Sequence, residues 1–435
     1  MRGALSLPFL RLYALALLFF SGNAILNVII PLRGESLGAT NTTIGLIMGA
    51  YLFTTMFFRP WAGRVIERTG PIKVLRAILV VNGLALILYT FTGLPGYLAA
   101  RILQGVCTAF FSMALQIGII DALPEKDRSQ GISLYSLFTY MPGIVGPLLA
   151  LGLWDGGDMG AFTVVMVSIA VLTGLFGYGA KMAPRAEPQD SPDRSDTSEG
   201  QGASLSVRME SGETGQEKEA CQSQQQTRTK PAAAGGKQPL WRLASHPSLL
   251  KSGALMLSAS LVFGSITAFV PLYAAEVSGA SAGIYLMLQA GTVVVARFAL
   301  RARIPSDGKW HTPFMMGTML MVAAAALSVG LAASAGFLLF YLGAVLMGLA
   351  QAILYPTLTT YLSFVLPREN RNAMMGLFIA SADLGVSLGG ILMGPAADLL
   401  SYSWMYMLCA LLCAAMIPVA YERRAASRAS EVAAR

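Results

Sequence analysis

Charged residues are scarce in this chain of 435 residues: only 12% are Asp, Glu, Lys or Arg, while 55% are hydrophobic. A water-soluble domain usually carries about a quarter charged residues. Apolar side chains in this proportion exceed what a single water-soluble core can bury. The low charge therefore excludes an ordinary soluble protein and indicates that the chain is dissolved in a lipid bilayer.

Residues for metal binding and covalent chemistry are also few. The chain has two histidines and four cysteines, at Cys107, Cys221, His246, His311, Cys409 and Cys413. Because they are scattered, they form neither a Cys/His metal cluster nor a disulfide framework. A Gly-Lys-Ser/Thr phosphate loop is missing, and no nucleophile and base stand in a catalytic spacing. The sequence predicts that the chain is not an enzyme, not an ATP-driven pump, and holds no metal or cofactor.

Long apolar runs, in contrast, recur along the whole chain. About 20 apolar residues in a helix cross roughly 30 Å of hydrocarbon, and helices satisfy their own backbone groups in lipid. We predict an all-α membrane protein with twelve spans, at residues 10–31, 43–62, 74–92, 96–120, 130–153, 161–182, 250–273, 281–300, 312–332, 335–365, 373–397 and 403–421. The first run continues past Ser21 to Pro31 without a polar break, which predicts a retained helix and not a cleaved signal peptide.

The basic residues that give the net charge of +8 are unevenly distributed between the loops. Loops on the side of the N-terminus hold Arg64, Arg68, Lys73, Arg76, Lys126, Arg128, Arg301, Arg303, Lys309, Arg368, Arg371, Arg423 and Arg424. The opposite loops hold Arg33 and acids such as Glu35 and Glu276. Short basic loops stay in the cytoplasm, so we predict a protein of the cell membrane with both termini cytoplasmic. The positive charge then sets topology, and we expect no nucleic-acid partner.

The chain divides into two related halves. Residues 184–248 are rich in Ser, Gln, Gly and mixed charge and cannot bury enough apolar surface to fold alone, so they are predicted to form a disordered cytoplasmic linker. The flanking segments, 1–183 and 249–435, are predicted to be six-helix bundles, the second with a short cytoplasmic tail. An offset of 243 residues aligns Gly105, Ala109, Leu123, Pro124, Arg128 and Gly146 with Gly348, Ala352, Leu366, Pro367, Arg371 and Gly389. Two such repeats with a site between them are a recurring transporter architecture.

The loop after the second span carries a pattern of glycine, acid, arginine and glycine followed by a basic residue, at Gly63, Glu67, Arg68, Gly70 and Lys73. Gly63 permits close helix contact and Gly70 permits a tight turn. The pattern resembles the cytoplasmic gating motif of the major facilitator superfamily, with Glu67 in place of the usual Asp. The resemblance implies that Glu67 lies against the eleventh helix and that Arg68 pairs with Asp121 at the end of the fourth.

Arg101 lies within the fourth span, where an arginine facing lipid costs at least ~2.5 kcal/mol. We predict that it faces protein or a wet cavity, where its planar guanidinium suits a substrate carboxylate. With Gln104 and Gly105 it resembles the Arg-x-x-Gln-Gly pattern of the same superfamily. The alternative is an arginine that snorkels to the lipid headgroups.

Other polar residues in the spans complete the predicted substrate site. Asn23 and Asn27 are four residues apart on the first helix, as are Gln351 and Tyr355 on the tenth, and both helices line the cavity in the superfamily. Such pairs also serve as hydrogen-bonding contacts between helices. Arg297 is a further candidate cation, and Arg59 is its near-counterpart in the first half.

Two features favour coupling to protons. Asp383 lies near the middle of the eleventh span, where a carboxyl group can take up and release a proton. The alternative is a structural acid held by Ser381 or by a neighbouring helix. Gly146 and Pro147 in the fifth span partly match the Gly-Pro signature of proton-driven antiporters, which favours export.

Over residues 1–154 the chain resembles more narrowly the opine-metallophore exporters of Gram-positive bacteria, the staphylopine-type group. The runs that carry this resemblance include Asn23-Ala24-Ile25-Leu26-Asn27-Val28, Phe58-Arg59-Pro60-Trp61-Ala62-Gly63 and Gly118-Ile119-Ile120-Asp121-Ala122-Leu123-Pro124. The resemblance implies efflux of a nicotianamine-like chelator, anionic or zwitterionic, by proton antiport and alternating access. The expected partners are this chelator, protons and the bilayer, and the chain is expected to act as a monomer. The alternatives are a multidrug/proton antiporter of the same fold, an importer, or a membrane receptor without transport activity.

Overall fold

The computed structural model describes residues 5–180 and 243–421, apart from residues 124, 156–158, 244, 301–302, 304, 306 and 368–369. The predicted linker over 184–248 lies almost entirely outside the described residues, as does the tail beyond residue 421. The described remainder of both halves belongs to one compact unit.

Twelve helices within the described residues are long and apolar enough to cross a bilayer. They are α1 (Leu7–Ser36), α2 (Asn41–Thr69), α3 (Pro71–Phe91), α4 (Leu94–Ala122), α5 (Glu125–Asp155), α6 (Met159–Tyr178), α7 (Pro247–Tyr273), α8 (Ala282–Ala299), α9 (Thr312–Gly330), α10 (Phe337–Val365), α11 (Arg371–Leu399) and α12 (Tyr402–Ala415), which the short helix Ile417–Ala420 extends to the length of a span. The predicted all-α membrane fold with twelve spans is confirmed. Several helices extend beyond the apolar segments from which they were predicted, because the helical backbone hydrogen bonds continue into the polar sequence on either side.

The polar end of α2 shows how local sequence sets a helix boundary. The helix starts after Thr40, whose side chain accepts a hydrogen bond from the backbone N–H of Thr43. It ends at Gly70, whose φ of +85° favours glycine, and Pro71 then opens α3. The tight turn predicted at Gly70 is therefore confirmed.

The two halves repeat each other in packing as well as in sequence. The helix pairs α1/α5, α2/α4, α3/α4 and α3/α6 recur as α7/α11, α8/α10, α9/α10 and α9/α12. Gly105 of α4 lies against the carbonyl of Tyr51 in α2, and its repeat partner Gly348 of α10 lies against the carbonyl of Gln289 in α8. Equivalent glycines thus permit equivalent close contacts, which confirms the twofold repeat.

The halves meet most tightly at the end of the bundle where α2 begins and α11 ends. Gly45 and Gly390 touch backbone to backbone. Beside them, both carboxylate oxygens of Asp398 accept hydrogen bonds from the first backbone N–H groups of α2, from Asn41 at 2.8 Å and from Thr42 at 2.9 Å. An acid at a helix N-terminus pairs with unsatisfied N–H groups and with the positive end of the helix dipole. These contacts close one end of the path between the halves, and this end is called here the closed end.

Replacing Gly45 with alanine is expected to destabilise the closed end. The added Cβ would lie 2.1 Å from the carbonyl oxygen of Gly390, so two backbones must separate. Overpacking of this kind costs about 1–3 kcal/mol. Thermal unfolding of the purified protein measures the loss, with Gly174→Ala as the control because nothing lies within 4 Å of the Cβ position there. Equal unfolding midpoints for the two variants would contradict the close contact.

Candidate functional site

Two adjoining cavities lie between the halves. The first, of about 190 Å³, is called the amide cavity because Asn23, Asn27, Gln289 and Gln351 line it. The second, of about 280 Å³, is called the ion-pair cavity, and its lining includes Arg297, Tyr355 and Asp383. Both cavities share the wall formed by Tyr140, Phe263, Val293 and Gln351. Together they form a mostly apolar path with a few polar groups, which is the usual composition of a small-molecule site.

Arg101 of α4 lies directly behind the amide cavity. Its side chain is 0% exposed, which rules out the snorkelling alternative. Nη1 donates to Asn23 Oδ1 at 2.7 Å, and Nη2 donates to Asn27 Oδ1 at 2.8 Å. The guanidinium also lies 5.2 Å from the ring centroid of Tyr51 and 3.4 Å from Gln104 Oε1.

The structure places Arg101 and Gln104 behind the lining of the amide cavity, so the direct contact with substrate predicted for them stays a prediction. Neither residue lines the amide cavity or the ion-pair cavity, and Asn23 and Asn27 stand between Arg101 and the amide cavity. Gln104 is 1% exposed and accepts a hydrogen bond from Tyr89 at 3.1 Å, so its role is to fix the cluster. Asn23 and Asn27 do line the amide cavity, as the sequence predicts.

The cluster around Arg101 carries an uncompensated positive charge. Its partners are neutral amides, and within the part of the chain that the structure describes no carboxylate pairs with it. A buried charge without a counterion is costly in a low-dielectric interior. An anion entering the amide cavity relieves part of this cost, so the wall formed by Asn23 and Asn27 favours anions.

The second half contributes Gln289 of α8 to the lining of the amide cavity, a residue that the sequence reasoning missed. Its Nε2 donates to Gln351 Oε1 at 3.2 Å, while its own Oε1 is buried without a hydrogen-bond partner among the described residues. Gln289 is 3% exposed. A glutamine inside the apolar eighth span was the available signal, since polar groups inside a membrane tend to be functional.

An ion pair joins the two halves beside the ion-pair cavity. Arg59 Nε of α2 lies 3.0 Å from Asp383 Oδ2 of α11, and the side chains are 32% and 13% exposed. Asp383 therefore has a cationic partner that belongs to the other half. Of the two structural alternatives considered for Asp383, Ser381 is not observed as the partner, because its hydroxyl donates to the carbonyl of Phe378. The contact with a neighbouring helix is the one that Arg59 makes, so a structural role for Asp383 stays open beside proton coupling.

Arg297 makes a second polar contact between the halves. Its Nη2 donates to the hydroxyl of Tyr140 in α5 at 2.9 Å, and its guanidinium lies 4.4 Å from the ring centroid of that tyrosine. Tyr355 lines the same ion-pair cavity. The structure thus places Arg297, Tyr355 and Asp383 in the lining of one cavity.

Comparison with known proteins identifies the family. The sequence profile of the Major Facilitator Superfamily matches residues 12–307 and 308–434, which is nearly the whole chain. The chain belongs to the major facilitator superfamily.

Relatives within the superfamily differ widely in how much of the chain they match. The Staphylopine export protein of Staphylococcus aureus strain Mu50 is 49% identical over 418 residues, covering 95% of both chains. Multidrug resistance protein 2 of Bacillus subtilis strain 168 is 25% identical over 129 residues, covering 29% of this chain and 32% of its own.

Solved structures of superfamily transporters share the fold. A bacterial homologue of the human lysosomal transporter Spinster, in an inward-facing and unoccupied conformation, has a TM-score of 0.64 at 13% identity and covers 94% of this chain and 93% of its own. A POT family transporter in complex with 5-aminolevulinic acid has a TM-score of 0.68 at 11% identity and covers 94% of each chain.

The superfamily gating motif lies at the end of the bundle opposite to the closed end. Glu67, Arg68 and Lys73 are all exposed there, and Glu67 and Arg68 form no ion pair within the described residues. The contact of Glu67 with α11 implied by the resemblance stays a prediction, because residues 368–369, just before α11, lie outside the described residues. The side chain of Asp121, the implied partner of Arg68, lies outside the described residues.

Two glycines of the predicted gating set pack against neighbouring helices of the first half, and the proline lines a cavity. A Cβ on Gly63 would lie 3.2 Å from Met113 in α4, which confirms the close helix contact predicted there. Gly146 of α5 packs against Ala24 of α1, where a Cβ would lie 2.6 Å from the alanine Cβ. Pro147, the next residue, lines the amide cavity.

Proposed function

We propose that this chain is a secondary active transporter that exports a staphylopine-like metallophore across the cell membrane by proton antiport. The observation that carries the proposal is the 49% identity to the Staphylopine export protein over 95% of both chains. A match of this extent includes both halves and therefore the complete path between them. Multidrug resistance protein 2 matches less than a third of this chain. It therefore supports the fold more than it supports a substrate.

The chemistry of the cavities supports an anionic or zwitterionic chelator as the cargo. Such a molecule carries carboxylates and amines and, in its metal-free form, needs cationic and polar partners. Arg101 supplies an uncompensated buried cation, and Arg297 supplies a second cation on the wall of the ion-pair cavity. The chelator is the cargo, so the transporter needs no metal ligands of its own.

The pair of Arg59 and Asp383 supports the proposed coupling to protons. The carboxylate of Asp383 carries one negative charge, and either a proton or a protonated amine of the chelator can neutralise it. When one of them is bound, the other is disfavoured, which is the physical requirement for exchanging a proton for a substrate. Binding of either also weakens the attraction of Asp383 for Arg59 and so loosens a contact between the halves.

Alternating access follows from the two ends of α2 and α11. With both termini in the cytoplasm, as the sequence predicts, the closed end formed by Gly45, Gly390 and Asp398 is extracellular, and we infer that the path opens toward the cytoplasm. The exposed motif residues Glu67 and Arg68 are then placed to form the cytoplasmic closure in the opposite state. Rocking of the halves between these two closures would carry the chelator outward.

Export by living cells tests the proposal. The gene is deleted from its host, and the chelator in the culture medium and in the cells is measured by mass spectrometry, with and without plasmid-borne wild-type protein. We expect the deletion to raise intracellular and deplete extracellular chelator, and the plasmid to restore both. A deletion strain with unchanged chelator but higher sensitivity to lipophilic cations would instead assign the chain to multidrug efflux.

A further inference from the structure

The hydrogen bonds from Arg101 fix the orientation of the side-chain amides of Asn23 and Asn27 in the amide cavity. A guanidinium has only N–H donors, so the atoms of Asn23 and Asn27 that meet Arg101 at 2.7 Å and 2.8 Å must be the oxygens. The Nδ2 groups of the two asparagines are then turned away from Arg101. Because both residues line the cavity and Arg101 does not, their N–H donors are the groups available to a ligand.

The facing wall offers the complementary group. Gln289 and Gln351 share one hydrogen bond of 3.2 Å, in which one amide N–H meets one carbonyl oxygen. Whichever of the two is the donor, the pair keeps one carbonyl oxygen free. In the structure this is Gln289 Oε1, which is buried and lacks a hydrogen-bond partner among the described residues. An unpaired buried acceptor is unfavourable, so a ligand that donates a hydrogen bond to it gains affinity.

We propose that the amide cavity binds a zwitterion in one orientation, with a carboxylate on the N–H donors of Asn23 and Asn27 and a protonated amine on the free carbonyl of Gln289. Arg101 acts in this site as a positioning residue: it fixes both asparagine amides and adds its positive charge behind them. Gln289 is the specificity-determining residue for the amine. This assignment rests on the proposed function, because it takes the exported chelator as the zwitterion.

The arrangement also explains why the site lies between the halves. Asn23, Asn27 and Arg101 belong to the first half, on α1 and α4, whereas Gln289 and Gln351 belong to the second, on α8 and α10. A zwitterion that spans the cavity therefore contacts both halves at once. A molecule with only a carboxylate or only an amine contacts one half.

Binding of three probes to the purified full-length protein tests this assignment. The probes are metal-free nicotianamine, its N-acetyl derivative, which lacks the protonated primary amine, and its carboxamide derivative, which lacks the carboxylates. Titration calorimetry in detergent gives each affinity. For the wild type we expect each derivative to bind at least about tenfold more weakly than nicotianamine, since hydrogen bonds to charged groups are strong.

Two variants then separate the two walls. Gln289→Leu should weaken nicotianamine about tenfold but leave the affinity for the N-acetyl derivative unchanged, because that derivative has already lost the primary ammonium group assigned to Gln289. Asn27→Asp keeps an oxygen for Arg101 but replaces the Nδ2 donor with a second oxygen. It should weaken nicotianamine at least about tenfold and affect the carboxamide derivative less, since a carboxamide can donate to the new oxygen.

Thr318→Val is the matched control. Its hydroxyl donates to the carbonyl of Phe314 in its own helix, away from both cavities, and we expect unchanged affinities for all three probes. Equal losses for all probes in Gln289→Leu or Asn27→Asp would overturn the orientation, because a general structural disturbance does not discriminate between probes. A wild-type protein that binds none of the probes would overturn the proposed substrate class and this assignment with it.

Discussion

Arg101→Ala is expected to lower chelator export at least about a hundredfold while the protein still inserts into the membrane. The substitution removes the two charge-assisted hydrogen bonds to Asn23 and Asn27 and the only cation observed behind the amide cavity in the described residues. Such bonds contribute about 1.5–3 kcal/mol each, so losing both corresponds to a factor of about a hundred or more. Export is measured by mass spectrometry of the medium, normalised to the amount of transporter in the membrane.

Two further arginine variants distinguish geometry from charge. Arg101→Lys keeps the charge, but a single ammonium has no planar fork to hold two asparagines in fixed positions, so we expect an intermediate loss. Arg76→Ala removes an exposed arginine that bonds only the carbonyl of Tyr178 at 3.3 Å among described groups, and it should leave export near the wild-type level. Normal export by a correctly inserted Arg101→Ala variant would refute the role assigned to this cluster.

Asp383→Asn is expected to abolish the dependence of transport on the proton gradient. Asparagine is nearly isosteric with the acid but cannot bind a proton at neutral pH, and it removes the charge that pairs with Arg59 at 3.0 Å. The variant should still exchange labelled for unlabelled chelator across a membrane, but an imposed pH gradient should no longer drive accumulation. Transport into proteoliposomes with and without the gradient measures this difference.

Asp307→Asn is the control for removing a carboxylate. Asp307 lies in the loop between α8 and α9, where a hydrogen bond with the ring of His311 at 2.9 Å holds the pKa of its carboxyl below the usual value. This pair is exposed and far from the proposed path, so its loss should not change the coupling. Asp383→Asn with full gradient dependence would return Asp383 to a structural role between the halves.

The sequence was sufficient to predict the fold because its signals are long and repeated. Twelve apolar runs of span length and an offset that aligns Gly105 with Gly348 leave little choice of architecture once only helices can cross the bilayer. The predicted role of Gly70 followed from a local rule about turns, and its positive φ agrees with that rule. Such local and periodic features do not depend on how the helices are rotated.

The candidate site was only partly predictable, because the sequence of an apolar helix contains little information on how the helix is rotated about its own axis. Lipid and protein both favour apolar side chains. The sequence of α4 therefore does not show whether the face that carries Arg101 lines the cavity or lies behind the residues that line it. The pair of Arg59 and Asp383 joins helices from different halves, and no spacing rule relates them. Gln289 was overlooked because a single amide in an apolar span has no motif, although its burial makes it informative.

The central claim is that two six-helix halves enclose a path that exchanges a metal-free chelator for protons. The most direct measurement is the uptake of metal-free chelator by proteoliposomes that hold the purified wild-type protein with its cytoplasmic face outward, with an acidic lumen. The account predicts accumulation above the outside concentration, which collapses when a protonophore removes the gradient and is absent in Asp383→Asn. Uptake that stops at equal concentrations on both sides of the membrane, regardless of the gradient, would contradict it.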